Sequence, residues 1–258
     1  PMVPGIEVTG THAGKRYLAS VSSGGYAQKA IAHEAALIPI PDAVTDQQAL
    51  CMLVQGSTAW HLLKTMGSVK AGQTVVIHAA AGGVGTIAIQ LAKMWGAKVI
   101  AVTSSQEKVD LAKSLGADEV VDARDADLGK ALRAANGGRG VDLVLEMVGG
   151  TTFDQSFLAL GNFGKLITFG MASRTAPTPI HPGSLMHGSK TVAGFWLANC
   201  FGKKELMNDV IAELFALVAS GKLRPVIGST YPLSKAADAH RAMLARETTG
   251  KVALDPAL

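Results

Sequence analysis

The chain has 258 residues, of which 48% are hydrophobic and 17% charged. That is enough for one large domain or two modest ones with a well-buried core, and it excludes a disordered chain. The formal net charge is +4, and no basic run exceeds a pair such as Lys203-Lys204, so the stripe or cluster of a nucleic-acid surface is missing.

Pro1-Met2-Val3-Pro4-Gly5 reads as the interior of a longer chain, because Pro1 precedes the first Met. From there to about Ala43 the texture is short strands and turns, punctuated by Gly24-Gly25 and Pro39-Ile40-Pro41. Asp46 to Met66 has helical apolar spacing at Ala49, Leu50, Leu53, Leu62 and Leu63. Thr45 or Asp46 caps its start, and Gly56 suggests two helices meeting.

From Thr74 strands and helices alternate. Strands are expected at Thr74–Ala79, Lys98–Thr103, Glu119–Asp122, Val141–Val148, Gly164–Gly170 and Thr191–Trp196. Helices are expected from the glycine turn to Trp95, then at Glu107–Leu115, Leu128–Asn136 and Phe153–Leu160. Such alternation, with strands apolar on both faces, predicts a doubly wound parallel sheet with right-handed crossovers, the Rossmann arrangement. The tail reads as a helix Glu205–Ser220, a strand Val226–Leu233, a helix Ser234–Ala245 and a strand Lys251–Leu254.

The run Val75 to Ala92 has no charged residue and is long enough to cross a bilayer. Gly82, Gly83 and Gly85 interrupt it, so strand, turn and helix describe it better, and no membrane association is expected. The two cysteines, Cys51 and Cys200, are far apart and in apolar settings, which reads as reduced, buried thiols in a cytoplasmic protein.

The main chemical signal is Ala79-Ala80-Ala81-Gly82-Gly83-Val84-Gly85, set between a strand and a helix. A dinucleotide site needs small residues there. The backbone must turn sharply, approach the pyrophosphate, and let the helix pack on the strand, so that bare N–H groups at the positive helix end meet the phosphates. Ala80 stands where the usual fingerprint has its first glycine, whereas Gly82 and Gly85 keep the other two. The second strand ends Val102-Thr103-Ser104-Ser105-Gln106-Glu107-Lys108. No carboxylate stands at the strand end to hold a ribose 2′-hydroxyl. Ser104, Ser105 and Lys108 instead favour a 2′-phosphate, and NADPH is expected over NADH, although Glu107 opposes that reading.

Taken together, these stretches resemble the zinc-independent quinone oxidoreductase branch of the medium-chain dehydrogenase/reductases. The resemblance runs through Val3-Pro-Gly-Ile-Glu-Val-Thr-Gly10, Gly25-Tyr-Ala-Gln28, Gln55-Gly-Ser-Thr-Ala59 and Ala79 to Gly85. It continues through Leu115-Gly-Ala-Asp118, Gly164-Lys-Leu-Ile-Thr-Phe-Gly170 and Thr249-Gly-Lys-Val-Ala253. It implies an α/β fold in which a Rossmann domain (51–200) is inserted into a partial GroES-like β-barrel catalytic domain (1–50 and 201–258). It implies that Thr58, Val148, Gly170, Phe195 and Trp196 lie near ribose or nicotinamide, and that Lys251 approaches the cofactor. With the turn residues Ala81, Gly82, Gly83, Val84 and Gly85, these complete the expected cofactor site. Relatives often pair the strand read here as Thr191 to Trp196, so a homodimer is expected. The family's barrel segment before its "P-G-I-E" turn is absent, and Thr11 to Tyr17 is a shortened approach. A true deletion would cost the substrate pocket a wall.

Other residues carry less. Tyr231 and Lys235 have the spacing of a catalytic Tyr-x-x-x-Lys, but Pro232 and a cap at Ser234 leave the tyrosine outside the helix. His12, His33, His61, His78, His181, His187 and His240 show no ligand spacing, and Cys51 with His61 offers no metal geometry. Tyr26 reads as a packed ring, and no proton donor or other catalytic residue is assigned. With neither metal ligands nor an acid motif, hydride transfer to quinones or α,β-unsaturated carbonyls is the expected reaction. A cofactor-binding regulatory module with little turnover, or an enoyl thioester reductase, is the alternative.

Overall fold

A computed structural model describes residues 2–258; Pro1 lies outside them. The chain divides into two compact units, one holding the residues through Thr58 together with Leu197–Leu258, the other Ala59–Trp196.

The first unit opens with a hairpin of β1 (Glu7–His12) and β2 (Lys15–Ser20), to which β3 (Leu37–Pro39) adds antiparallel. Ala13 and Gly14 both take positive φ, 48° and 74°, as a two-residue hairpin turn requires. The stretch read as a shortened approach is therefore a closed hairpin. A helix α1 (Asp46–Leu50) follows, with Thr45 and Gln48 forming a reciprocal capping box. The break expected at Gly56 does not occur. The helix instead widens into a π turn at Met52–Gly56, runs on as α2 (Ser57–His61), and widens again at Leu62–Met66.

The second unit is built on six parallel strands: β4 (Thr74–Ile77), β5 (Lys98–Thr103), β6 (Glu119–Asp122), β7 (Val141–Glu146), β8 (Leu160–Thr168) and β9 (Thr191–Gly194). Their order across the sheet is β6-β5-β4-β7-β8-β9. The chain thus winds outward from β4 in one direction and from β7 in the other, and the crevice between their carboxyl ends is the topological switch point. Helices α3 (Gly83–Met94), α4 (Gln106–Ser114), α5 (Leu128–Ala135) and α6 (Gly150–Ala159) cross over, and a short α7 (Pro182–Met186) precedes β9. Val76, Ile100, Val144 and Leu166, all fully buried, form the heart of the core with Leu128, Leu132 and Phe153. This is the expected α/β doubly wound sheet. β8 starts earlier than its apolar run suggested, because Leu160 pairs with Val141 before the register shifts.

The return to the first unit brings α8 (Asn208–Ala219), β10 (Ile227–Pro232), α9 (Ala236–Leu244) and β11 (Lys251–Asp255). β10 and β11 pair in parallel, and α8 packs on the π turn so closely that a Cβ on Gly56 would lie 3.1 Å from Leu214. Tyr231 lies on β10, before α9, so it shares no helix face with Lys235.

Candidate functional site

The glycine turn joins β4 to α3. Ala79 adopts φ 48°, and Gly82 returns its N–H to the Ala79 carbonyl at 2.8 Å. Gly82 is the N-cap of α3, with no side chain closing the helix end and no acid in the first turn. The amides of Gly83, Val84 and Gly85 therefore open a helix whose positive end is not neutralised. A Cβ on Gly85 would stand 2.6 Å from Ala79 O and from Ala80 Cα, so only glycine lets the helix sit this near the strand. Ala81 is buried behind the turn. The turn fits a diphosphate held by backbone.

A cleft of about 340 Å³ is lined by Thr103, Ser104, Ser105 and Gln106 where β5 passes into α4, by Val109 and Lys113 of α4, and by Glu119, Val120, Asp122 and Arg124 along β6 and the turn after it. Thr103 is 5% exposed, and its Oγ1 has no hydrogen-bond partner. Lys108 stands in the first turn of α4 and is not among the lining residues. Sequence reasoning missed Arg124, because it lies some twenty residues beyond the serines and only the pairing of β5 with β6 brings it beside them.

At the end of β7, Glu146 is fully buried. Its Oε1 accepts from Val148 N at 2.6 Å and Gly149 N at 2.9 Å, and its Oε2 has no partner. Burial pushes this carboxyl above its ordinary value, against the pull of the two amides. The carboxylate so fixes the loop that carries Val148, whose carbonyl accepts from Ser173 N. Gly149 and Gly150 take φ 80° and 54°, and a Cβ on Gly149 would meet Met171 at 2.8 Å. Gly170 lies just past β8, where its Cβ would be 3.2 Å from Met147 O. Just past the neighbouring strand β4, His78 is buried, with Nε2 2.8 Å from Ser156 Oγ. Burial lowers this imidazole to about 4, so it is neutral near pH 7. The signal for Glu146 was an acid directly after the apolar run Leu143-Val144-Leu145.

Phe195 continues from β9, its N–H bonded to Thr168 O and its ring 5.6 Å from that of His61. Trp196 beside it is 74% exposed. In the other unit, Thr58 is buried in α2, after the π turn. Lys251 is also buried there, and its ammonium is held by Glu7, whose Oε2 accepts from Val54 N. Burial pulls the ammonium down to about 8, and the Glu7 carboxylate opposes that pull.

A family model described as "Zinc-binding dehydrogenase" matches residues 83–216. A quinone oxidoreductase of Pseudomonas aeruginosa is 33% identical over 254 residues, 98% of this chain and 78% of that protein. The structure of Escherichia coli quinone oxidoreductase complexed with NADPH superposes with a TM-score of 0.91 at 30% identity, covering 99% of this chain and 83% of the other. That of the Thermus thermophilus quinone oxidoreductase, also solved with NADPH, gives 0.86 at 35% identity, covering 98% and 81%. The chain belongs to the zinc-binding dehydrogenase family, on its quinone oxidoreductase branch.

Membership accounts for the inserted parallel sheet and for the order of motifs along the chain. Among the described residues no three His, Cys, Asp or Glu side chains are grouped to hold a metal ion. No helix among them is long and apolar enough to cross a membrane.

Proposed function

We propose that this chain is an NADPH-dependent reductase of quinones or α,β-unsaturated carbonyls that works by hydride transfer without metal. The observation that carries the reading is the Ala79–Gly85 turn, with Gly85 packed against Ala79 and Ala80 and the amides of α3 left open. The kinship with quinone oxidoreductases solved with NADPH supports it.

Ala81, Gly82, Gly83, Val84 and Gly85 hold the diphosphate by backbone. Ser104, Ser105 and Lys108 meet the adenosine ribose and its 2′-phosphate. Val148 and Gly170, on loops stiffened by Glu146 and by close glycine packing, border the nicotinamide end, flanked by Phe195 and Trp196. Thr58 and Lys251 complete the set, and the Lys251 charge is then shared with Glu7. Bound NADPH supplies a hydride from its nicotinamide ring. The chain's part is orientation and dryness. A quinone or enone, once reduced, leaves an oxyanion weakly basic enough to take its proton from water, so no acid side chain is needed.

The edge position of β9 suits pairing with a second copy, which would make a homodimer. Two buried free thiols suit a reducing cytoplasm. Calorimetric titration with NADPH and with NADH, followed by NADPH oxidation against quinones, enones, a crotonyl-type thioester and a simple aldehyde, tests the reading. Tighter NADPH binding with turnover of quinone or enone is expected. Binding without turnover would point to the regulatory module, and thioester turnover to the enoyl reductase. Chelator-insensitive reduction of the aldehyde would overturn the choice of acceptor.

A further inference from the structure

Phe163, near the start of β8, has φ 61° and is 77% exposed. A bulky residue gains nothing from the left-handed region, and this one gains no burial in return. Its N–H bonds to Gly188 O at 2.7 Å, which sets it against the turn after α7, where Met186 is 78% exposed. Leu158, in the last turn of α6, is 59% exposed. Three apolar side chains thus stand in water along the amino-terminal rim of the parallel sheet.

The charges beside them have one sign. Arg133 Nη2 donates to Leu158 O and to Leu160 O, both at 3.0 Å. Lys190 donates to Phe157 O at 3.3 Å, with its ammonium 4.7 Å from the centre of the Phe157 ring. Arg139 is exposed on the turn before β7, where a Cβ on Gly140 would lie 2.3 Å from Gly161 Cα. The carboxyl end of α6 offers only about half a negative charge. Two full cations face it, so the surplus is positive. No Asp or Glu occurs from Gln155 to Trp196. The flanking carboxylates are engaged elsewhere: Asp142 accepts from Thr74 N, and Asp154 from Thr178 N and Oγ1. Burial and the Arg133 charge both pull the Lys190 ammonium below its ordinary value, as expected of like charges held together.

We infer that this rim docks reversibly on an anionic lipid surface, with Leu158, Phe163 and Met186 entering the headgroup layer and Arg133, Arg139 and Lys190 meeting lipid phosphates. Apolar tips beside a basic cluster are what such a surface takes. A nucleic acid would use the cations and leave the aliphatic tips idle. A second copy docked on the same rim would bring its own cations against these. Surface contact needs no spanning segment, and no helix among the described residues is long and apolar enough to supply one. The crevice between β4 and β7 lies at the opposite, carboxyl end of the sheet, so docking leaves it open to water. Lipophilic acceptors are concentrated in the surface that holds the chain. The inference does not depend on coenzyme binding.

Vesicle flotation of the full chain tests it, with phosphatidylcholine alone and with phosphatidylglycerol as a quarter of the lipid, at low and high salt. Binding to the mixed vesicles alone, lost at high salt, is expected. Arg139→Gln should weaken it about fivefold, the worth of one cation at such a surface. Phe163→Asn suits the left-handed backbone better, so it should melt no lower than wild type, yet weaken vesicle binding by about tenfold or more. Arg174 sits past β8 at the carboxyl end, where Ser173 N bonds to Val148 O. Arg174→Gln makes the same change of charge there and should leave vesicle binding within about twofold. Equal losses in Arg139→Gln and Arg174→Gln, or no loss in Phe163→Asn, overturn the assignment. Failure of the wild type to bind the mixed vesicles overturns it outright. Retention of polyuridylate in that case gives the rim to RNA, and self-association abolished by Phe163→Asn gives it to a second copy.

Discussion

Gly85 shows how one missing methyl group makes a site. Its Cβ would overlap Ala79 O and Ala80 Cα at 2.6 Å, so Gly85→Ala must push α3 away from β4. The expected result is a stability loss of about 1–3 kcal/mol and a drop in NADPH affinity of tenfold or more, read by thermal melts and calorimetry. Glu146 acts from beneath. Glu146→Ala removes the acceptor of two buried amides and should cost about 2–6 kcal/mol, at roughly 1–3 kcal/mol for each orphaned group. Glu146→Gln keeps a carbonyl oxygen for those amides, and denaturant titration should find it closer to wild type than the alanine variant. The Glu7–Lys251 pair is a third case. Lys251→Met leaves a buried carboxylate and should destabilise by about 3–5 kcal/mol, whereas the double variant with Glu7→Gln should recover much of the loss. If the double variant is no more stable than the single one, the charge pair is not what holds β11 to β1.

At the level of elements, β4 to β7 were legible because each carries an apolar run closed by a turn and followed by a helix. The segment from Asp46 to Met66 was less so. Gly56 looked like a break by propensity, yet close packing of Leu214 against it preserves the helix as a π turn. Packing outweighs a propensity of about 1 kcal/mol. β9 is one edge strand of the parallel sheet, and β6 is the other. Adjacent residues of an edge strand point their N–H groups alternately into the sheet and outward. Of Val192→Pro and Ala193→Pro, one therefore blocks a docking strand without breaking the ladder to β8. Sedimentation should find that variant monomeric and the wild type dimeric; a wild-type monomer at tens of micromolar would end the edge-pairing proposal.

Across the whole molecule, acid stability should carry the mark of His78. Its folded value, about 4, lies below the ordinary 6.5, so the unfolded chain binds the extra proton between those values. Stability from this group is complete above about pH 6.5 and is lost as pH falls toward 4, by roughly 3 kcal/mol at about 1.4 kcal/mol per unit. Denaturant melts from pH 7 to 4 should show the decline, and His78→Gln should flatten it. The amino-acid order alone determined the alternation of strands and helices, the glycine turn and the family resemblance, because these depend on neighbours a few residues apart and on side-chain size. Only the tertiary structure decided that Arg124 stands beside Ser104, that Glu146 braces Val148 and Gly149 from a buried position, and that Lys251 is held by Glu7. Strand order and burial set those meetings, and both arise from the sheet as a whole.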